Sequence, residues 1–397
     1  MEITDVRLYT VAEGTQGQRG ADAGESQYWG GGWQTDALIA NPMSIYEEYR
    51  DSRTSWMGPG QDPFVVELET DEGDVGFCAN YGGGRYACDV IDTHYRRFLE
   101  GANPFDVERI WEQMYRSQLP YGQRGISMMA ISGVDLALYD LIGKITDQPV
   151  YNLFGGRSMD EIPCYVTTHM DVMEHMAGEG FFGVKLAAPW GPADGKAGLR
   201  KTEEMVAETQ ALFGEDTDVM IDAYMAWDKE FTVRVAERLR PYDVKWIEDP
   251  LHPGAVTEYR DIRHDIHPIQ MAVGNLEFGY KAYHQLLDAG AGDIIQPELQ
   301  WCGGLTEAHR IAEMCKGHGL PICPHGASVY NYHFVMAHTN APYAEYLTVA
   351  DGTEVRPIFD AIEGEPLPED GSIDLGDDPG FGVELNHDIL KPFGSAD

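Results

Sequence analysis

Five polar residues recur at nearly equal intervals in this sequence: Asp222, Glu248, Asn275, Glu298 and His325. The gaps between them are 26, 27, 23 and 27 residues, close to the length of one strand-plus-helix unit. The first three offer hard oxygen ligands, which suit Mg²⁺, and no Cys or His joins them as zinc would require. We therefore expect these three residues to bind one Mg²⁺ ion.

Two residues, Asn275 and Glu277, are candidates for the third metal ligand. Asn275 carries no charge, so a site that uses it would bind the metal more weakly but leave it more Lewis-acidic. Glu277 projects on the same face as Asn275 if the strand continues, because side chains alternate along a strand. Glu277 would then either replace Asn275 as ligand or support the ligands from behind.

His325 ends the apolar run LPICPH, and Glu298 ends the preceding strand candidate. A carboxylate on one imidazole nitrogen fixes the tautomer and stabilises the imidazolium, so we expect this pair to act as a general base. Glu345 would point a further carboxyl at the same place and, if protonated, donate to an oxygen that becomes negative. Together with Lys185, also at a strand end, these residues suit removal of a proton next to a carboxylate.

These side chains need a scaffold that brings distant strand ends together. From about residue 160 short apolar runs alternate with amphipathic helical stretches, the pattern of parallel βα units. Eight strand candidates within about 190 residues favour a closed barrel, whose strand ends meet at one mouth. The candidates are 162–168, 181–187, 218–224, 244–249, 269–275, 293–298, 320–325 and 344–349.

The first 125 residues have a different pattern. Residues 64–79 contain two strand-like runs around an acidic Gly turn, which predicts a hairpin. Gly-rich polar loops with scattered aromatic residues surround the hairpin, so we expect a smaller α+β domain here. In residues 126–144 the apolar side chains recur on one helical face and predict a helix that links the two domains.

The composition excludes several functions. Asp and Glu total 66 against 28 Lys and Arg, for a net charge of −38, which would repel nucleic acid and anionic membranes. The acidic residues are spread along the chain, which is typical of a halophile-type surface. At high salt the repulsion between them is screened. The six cysteines form no CxxC pair, so no disulfides are expected. The polar N-terminus and the lack of a long apolar run predict a cytoplasmic protein without a membrane span.

Several motifs resemble the mandelate racemase subgroup of the enolase superfamily, over nearly the whole chain. They are ISGVDLALYDLIGK, QPVYNLFGG, WIEDP and DPGFGVELN. Within the subgroup, further motifs are similar to those of L-rhamnonate dehydratases: IANPMS, SRTSW, WGPADG, DIIQPELQWCGGLTE and PHGASVYNYHF.

The resemblance implies an α/β fold, a modified TIM barrel of (β/α)7β type with an N-terminal α+β capping domain completed by the C-terminal segment. The corresponding boundaries are a cap at 1–125, a linking helix region at 126–160, the barrel at 161–355 and the returning segment at 356–397. Members of this type commonly form homo-oligomers.

The resemblance also implies roles for individual residues. Asp222, Glu248 and the residue at position 275 would bind Mg²⁺, His325 would be the base with position 298 as its partner, and Glu345 would be the electrophile. Four residues depart from the L-rhamnonate dehydratase pattern: Asn275 replaces Glu, Glu298 replaces Asp, and Leu276 and Gly32 replace histidines. The two missing histidines would face substrate, so the aldonate stays open between L-rhamnonate and another sugar acid.

Specificity is expected to come from the cap. Arg53, in SRTSW, is our candidate for clamping substrate oxygens, and Trp33 and Trp56 are candidates for the pocket wall.

The second barrel strand separates reaction types. Racemases of the subgroup carry a second lysine two residues after the first, whereas this chain has Lys185-Leu186-Ala187. A one-base site favours a Mg²⁺-dependent aldonate dehydratase that forms a 2-keto-3-deoxy acid. Two alternatives remain: an acid-sugar epimerase or racemase of the same superfamily, and a catalytically weakened homologue that only binds sugar acids.

Overall fold

Two large β-sheets, a small two-stranded sheet and the helices around them are seen in a computed structural model. The model describes residues 1–11, 37–50, 55–56, 62–349 and 352–394. The first sheet is antiparallel, in the order β14-β1-β2-β3. Its strands are β1 (Ile3–Val11), β2 (Pro63–Thr70), β3 (Val75–Tyr81) and β14 (Leu390–Pro392). Strands β2 and β3 form the predicted hairpin. Because β14 pairs with β1, the C-terminal segment completes the sheet of the cap, as expected.

The helix Ile126–Thr146 lies against this sheet and is buried on nearly all sides. By length and composition alone it could cross a membrane, but 89% of its most apolar window is buried inside the protein, so the expected lack of a membrane span stays a prediction. This is the composition of a core helix that packs between two layers. Three shorter helices precede it: Gly84–Val90, Arg96–Leu99 and Val107–Gln118.

The second sheet is parallel and curls into the predicted barrel. Its neighbours follow chain order, and the last strand pairs with the first. The strands are β4 (Ile162–Thr168), β5 (Gly183–Ala187), β6 (Asp218–Asp222), β7 (Trp246–Glu248), β8 (Gln270–Val273), β9 (Ile294–Ile295) and β10 (Ala344–Leu347). The helices around them are Gly195–Phe213, Lys229–Leu239, Val256–Ile266, Gly279–Ala289, Leu299–Cys302, Gly304–Gly317 and Val329–Ala337.

The prediction that residues 320–325 form the seventh barrel strand was wrong in extent, because the paired region is much shorter. Only Ile322 forms a bridge there, to Ile295. Pro321 and Pro324 flank it, and proline has no N–H to donate to a ladder. His325 is nevertheless fixed, because its backbone N donates to the carbonyl oxygen of Pro297 at 3.0 Å.

Short strands follow the barrel. They are β11 (Ile362–Glu363), β12 (Ser372–Ile373) and β13 (Glu384–Leu385). Strand β12 pairs antiparallel with β4, and β11 pairs with β13. The domain boundaries at 125, 160 and 355 stay a prediction.

Side-chain alternation divides the barrel interior into two layers. The lower layer is a cluster of buried, mostly apolar residues: Tyr165, Met220, Trp246, Ala272, Ile294 and Cys323. Two residues further along the same chain segments lie Thr167, Asp222, Glu248, Gln296 and His325. The period of two along each strand therefore places a polar layer directly above an apolar floor.

Candidate active site

The polar layer is organised around a buried ammonium group. Lys185 Nζ lies 2.7 Å from Glu248 Oε1 and 3.0 Å from Glu345 Oε1, and all three side chains are almost fully buried. Burial lowers the pKa of Lys185, but the two carboxylates raise it more, so the pKa ends above its ordinary value. Lys185 is thus a charged bridge between two strands on opposite sides of the curled sheet.

Glu345 only accepts hydrogen bonds in this arrangement. The Thr167 hydroxyl and Lys185 act on its Oε1, and the backbone N of Gly326 donates to its Oε2 at 2.7 Å. Burial raises the pKa of Glu345, but Lys185 and His325 lower it more, so the pKa lies well below its usual range. The expected protonated, donating form of Glu345 is therefore not the form that this network stabilises.

Asp222 and Glu248 lie opposite each other on the paired strands β6 and β7. Glu248 Oε2 accepts from Trp246 Nε1 at 3.1 Å and from Gln296 Nε2 at 3.0 Å, while Asp222 Oδ1 accepts from the backbone N of Tyr224 at 2.8 Å. Burial and the charge of Glu248 raise the pKa of Asp222. A bound cation would relieve this repulsion between two buried carboxylates.

Asn275 brings an oxygen that lacks a partner. Strand β8 ends at Val273, and Gly274, with φ of 121°, turns the chain so that Asn275 is no longer part of the strand. The Asn275 side chain is buried, and its Oδ1 has no hydrogen-bond partner among the described residues. Such an orphaned acceptor is costly unless a cation or a donor completes it, so the residue fits the predicted ligand role.

Glu277 does not share the face of Asn275, because the chain turns instead of continuing as a strand. Its carboxylate lies 2.9 Å from the Arg124 guanidinium and accepts from the backbone N of Gly254 at 2.8 Å. No three His, Cys, Asp or Glu side chains in the described part of the chain are grouped to hold a metal ion. The unpartnered oxygen of Asn275 favours Asn275 over the Arg124-paired Glu277 as the third ligand, and the choice between the two residues stays a prediction.

The predicted base and its partner are in contact. His325 Nδ1 lies 3.0 Å from Glu298 Oε2. Burial lowers the pKa of His325, but the Glu298 hydrogen bond and the charges of Glu345 and Glu298 outweigh it and raise the pKa to about 9. With Nδ1–H donated to Glu298, the neutral ring has its lone pair on Nε2, the arrangement of a base oriented by a carboxylate.

The substrate-binding candidates are only partly covered by the described residues. The Trp56 ring lies 6.1 Å from the ring of Tyr224, edge to face, just beyond the end of β6. Arg53, Trp33 and Gly32 lie outside the described residues. The neighbouring cap segment reaches the barrel, because the backbone N of Ala40 donates to the carbonyl oxygen of Ala188 at 3.0 Å.

Comparison with known proteins identifies the family. Residues 50–155 match the model of the mandelate racemase / muconate lactonizing enzyme N-terminal domain, and residues 170–389 match the enolase C-terminal domain-like model. An L-rhamnonate dehydratase from Saccharopolyspora erythraea is 40% identical over 98% of this chain and 98% of its own. The chain belongs to the mandelate racemase / muconate lactonizing enzyme family of the enolase superfamily.

Solved structures of the family have the same fold. A rhamnonate dehydratase from Gibberella zeae, complexed with Mg, matches with a TM-score of 0.90 and 32% identity over 100% of this chain and 98% of its own. The 3,6-anhydro-D-galactonate cycloisomerase from Zobellia galactanivorans matches with a TM-score of 0.77 and 22% identity over 98% of this chain and 100% of its own. The second match shows the fold alone.

Strand β5 of the present protein has no second lysine. Ala187 occupies the position two residues after Lys185 and lies opposite Asp222 in the register with β6. Its buried methyl group contacts Ile39 of the cap segment. An alanine cannot take or give a proton, so the position of the second lysine supplies no base to face His325, and Lys185 itself is paired with Glu248 and Glu345.

Several residues of the site were not singled out from the sequence. Thr167 and Gln296 each lie two positions after a residue of the apolar floor, and strand alternation alone could have identified them. Tyr81, whose hydroxyl donates to Glu298, comes from the cap, and no spacing within the barrel points to it. Arg124, the partner of Glu277, also lies outside the barrel pattern.

Proposed function

We propose that this chain is a sugar-acid dehydratase that converts an aldonate to a 2-keto-3-deoxy acid and uses Mg²⁺ as its cofactor. The observation that carries the proposal is the His325–Glu298 pair, which shares the polar layer with Asp222 and Glu248, while Ala187 occupies the position where racemases of the subgroup carry a second lysine. The dehydratases named above support the same reaction class. One base suffices for abstraction followed by elimination, whereas a two-base racemase would need a partner for His325.

The residues present fit a hard divalent cation. Asp222, Glu248 and the unpartnered Oδ1 of Asn275 would hold it, leaving coordination positions for substrate oxygens and water. When bound, Mg²⁺ supplies Lewis acidity at the substrate carboxylate, which acidifies the neighbouring C–H bond. Lys185, Trp246 and Gln296 hold the Glu248 carboxylate in place for this role.

His325 carries the proton in both halves of the proposed reaction. Its Nε2 takes the proton from C2 of the aldonate, and Glu298 stabilises the imidazolium that results. The C3–O bond then breaks, and the Nε2 proton leaves with the 3-hydroxyl as water. The remaining enol becomes the 2-keto-3-deoxy acid. A positioned acid–base group of this kind contributes roughly 10²–10⁴-fold to the rate.

L-rhamnonate is the first substrate to test, because relatives of that name cover nearly the whole chain. Leu276 argues for testing other aldonates as well. It is partly buried against the core, just beyond Asn275, and its side chain cannot donate a hydrogen bond to a substrate hydroxyl. A substrate with fewer polar groups near this position would match it better.

Proton NMR in D₂O tests the proposal directly. The protein, Mg²⁺ and molar KCl are incubated with rhamnonate, xylonate, arabinonate, lyxonate, gluconate, fuconate and galactonate in turn. We expect one aldonate to develop the C3 signals of a 2-keto-3-deoxy acid. The matched control is His325→Asn, which keeps the proposed metal ligands but lacks the base.

The other outcomes each support a different function. Loss of the C2 proton signal alone would show abstraction without elimination, as in an epimerase. Unchanged spectra combined with aldonate-dependent thermal stabilisation would identify a sugar-acid-binding protein. Either result would contradict dehydration of the aldonates in the panel.

We also propose that the protein works in a salty cytoplasm as a homo-oligomer. The net charge of −38 supports the first part, because such a surface gains from high ionic strength. Sedimentation equilibrium in molar KCl tests the second part, and a single species of 44.2 kDa would contradict it.

A further inference from the structure

The end of a cap strand is tied to the segment that carries the partner of His325. Asn80 Nδ2 donates to the carbonyl oxygen of Gln300 at 2.8 Å, and Gln300 Nε2 donates to that of Ala79 at 3.0 Å. Trp301 Nε1 donates to the carbonyl oxygen of Tyr81 at 2.9 Å. Three buried hydrogen bonds therefore fix the last residues of β3 against the turn that follows Glu298.

A fourth hydrogen bond joins the same two segments, from the side chain of Tyr81 to the side chain of Glu298. The Tyr81 hydroxyl donates to Glu298 Oε2, the same oxygen that lies 3.0 Å from His325 Nδ1. Glu298 Oε1 accepts from the backbone N of Gln300 at 3.1 Å. Each carboxylate oxygen thus has an anchor apart from His325, and the Glu298 and Tyr81 side chains are almost fully buried.

The length of Glu298 makes such an anchor necessary. A glutamate has one more rotatable bond than an aspartate, so its carboxylate has more positions from which it fails to face the imidazole. The Tyr81 ring is itself held by Trp301 and Phe359, with ring centroids 5.6 and 5.7 Å away. The rigidly held Tyr81 hydroxyl of the cap therefore restricts the position of the more flexible Glu298 carboxylate in the barrel.

Gly326 leaves the space for this contact. Its backbone has φ of +74°, and a Cβ at this position would lie 2.6 Å from the Tyr81 hydroxyl oxygen and 2.9 Å from Glu298 Oε2. Any larger residue directly after His325 would push these two oxygens aside. The backbone, the cap tyrosine and the glutamate thus fit together as one packed unit.

We propose that Tyr81 is a positioning residue for proton transfer: its hydroxyl holds the Glu298 carboxylate in the orientation that His325 requires. The proposal rests on the proposed function insofar as His325 is the base. It means that the catalytic pair is completed by the cap and not by the barrel alone.

The test compares two buried tyrosines: Tyr81, which ends strand β3, and Tyr330, whose hydroxyl contacts that strand. Tyr81→Phe removes the hydroxyl from Glu298 but keeps the ring between Trp301 and Phe359, so the fold is retained. Tyr330→Phe is the matched control, because the Tyr330 hydroxyl accepts from the backbone N of Ala79 at 2.9 Å and makes no contact with the pair. Each change removes one buried hydroxyl that makes a hydrogen bond, to Glu298 in the case of Tyr81 and to Ala79 of strand β3 in the case of Tyr330.

We expect Tyr81→Phe to lower kcat by about 10–100-fold, the usual effect of losing a group that orients a ligand or base. KM should change by less than about 3-fold, since Tyr81 acts on Glu298 and not on substrate. The isotope effect with a C2-deuterated aldonate should increase, because proton abstraction becomes slower. Tyr330→Phe should keep kcat within about 3-fold. Equal losses of kcat in the two variants would overturn the proposal.

A second measurement does not depend on turnover. Proton–nitrogen NMR of the His325 ring reports the Nδ1–H that is hydrogen-bonded to Glu298, with or without substrate and metal. We expect this signal in the wild type and in Tyr330→Phe, and its broadening or loss in Tyr81→Phe. An unchanged signal in Tyr81→Phe would reject the positioning role even if no aldonate were turned over, whereas a changed signal in an inactive protein would count against the proposed function alone.

Discussion

Lys185 joins two carboxylates of different proposed purpose, one a metal ligand and one a group near the base. In Lys185→Met, Glu248 and Glu345 lose the ammonium group that they share in a buried layer. Removing one partner of a buried ion pair costs about 3–5 kcal/mol. We therefore expect urea unfolding at pH 7, without Mg²⁺, to show a fall of that size in the free energy of unfolding.

The control for this prediction is Lys229→Met. Lys229 is half exposed, with Asp265 Oδ2 at 3.4 Å from its Nζ. Exposed pairs of this kind contribute at most about 1 kcal/mol. Similar losses in the two variants would contradict the importance of the buried bridge.

His325→Asn tests the base itself. Asparagine fills similar space but cannot take the C2 proton, so we expect kcat to fall by at least ~100-fold. The affinity for Mg²⁺, measured by isothermal titration calorimetry, should change little, because His325 is not among the proposed ligands. The NMR assay described above measures kcat, and retained turnover would exclude the one-base reaction.

The raised pKa of His325 also predicts a pH dependence of stability. Its pKa of about 9 in the folded protein exceeds the ordinary 6.5, so its stabilising effect is complete below pH 6.5 and is lost as the pH rises through 9. Without Mg²⁺, the stability of the wild type relative to His325→Asn should fall by up to ~3 kcal/mol over this range. Chemical unfolding at several pH values measures the difference, and a constant difference would contradict the raised pKa.

At the scale of elements, Asp140 connects three parts of the chain. Its carboxylate accepts from the backbone N of Phe77 at 2.9 Å, from Lys144 Nζ at 2.7 Å and from the backbone N of Phe381 at 3.0 Å. The long helix is thereby joined to β3 and to the C-terminal segment. Asp140→Ala would leave two backbone N–H groups without their acceptor in the core.

Each unsatisfied buried donor costs about 1–3 kcal/mol, so we expect Asp140→Ala to destabilise the protein by roughly 3 kcal/mol. Urea unfolding measures this, with the exposed Asp92→Ala as control. Within the described part of the chain, the exposed Asp92 forms an ion pair with Arg96 one turn further along, so its loss should cost less than about 1 kcal/mol. An equal effect of the two changes would refute the connecting role of Asp140.

The periodicity of the sequence was enough to predict most of the barrel. Short apolar runs, separated by helical stretches, gave the positions of the strands. Glu298 and His325, predicted at the ends of two of them, lie in contact. The prediction failed where local chemistry interrupts the period. Two prolines prevented pairing around Ile322, and Gly274 turned the chain before Glu277 could follow the face of Asn275.

The contribution of the cap could not be predicted from spacing. Tyr81 is separated from Glu298 by 217 residues, and the hydrogen bond between them depends on how two sheets pack. The protonation state of Glu345 could not be predicted from the sequence either, because it depends on the Lys185 ammonium group, which lies on a different strand. Cross-domain contacts and buried charge balance are three-dimensional properties that a linear pattern does not encode.

At the scale of the whole molecule, the charge of −38 predicts that stability depends on salt. Repulsion between carboxylates extends about 10 Å at 0.1 M salt but only about 3 Å at 1 M. We expect the thermal unfolding temperature to rise by roughly 5 °C or more between 0.1 and 1 M KCl and to level off above that. Differential scanning calorimetry measures it, with NaCl as the control for simple screening. A temperature that stays constant in both salts would contradict a screened acidic surface.

The pairing of β14 with β1 joins Tyr9 to Pro392, almost the full length of the chain apart. At a synthesis rate of about 5–20 residues per second, the first strand waits some tens of seconds on the ribosome before its partner exists. During that time one edge of β1 is open to pairing with other chains. Completion of this sheet is therefore delayed until residues 390–392 have been synthesised, and a chain that stops before them would lack the strand that closes this edge.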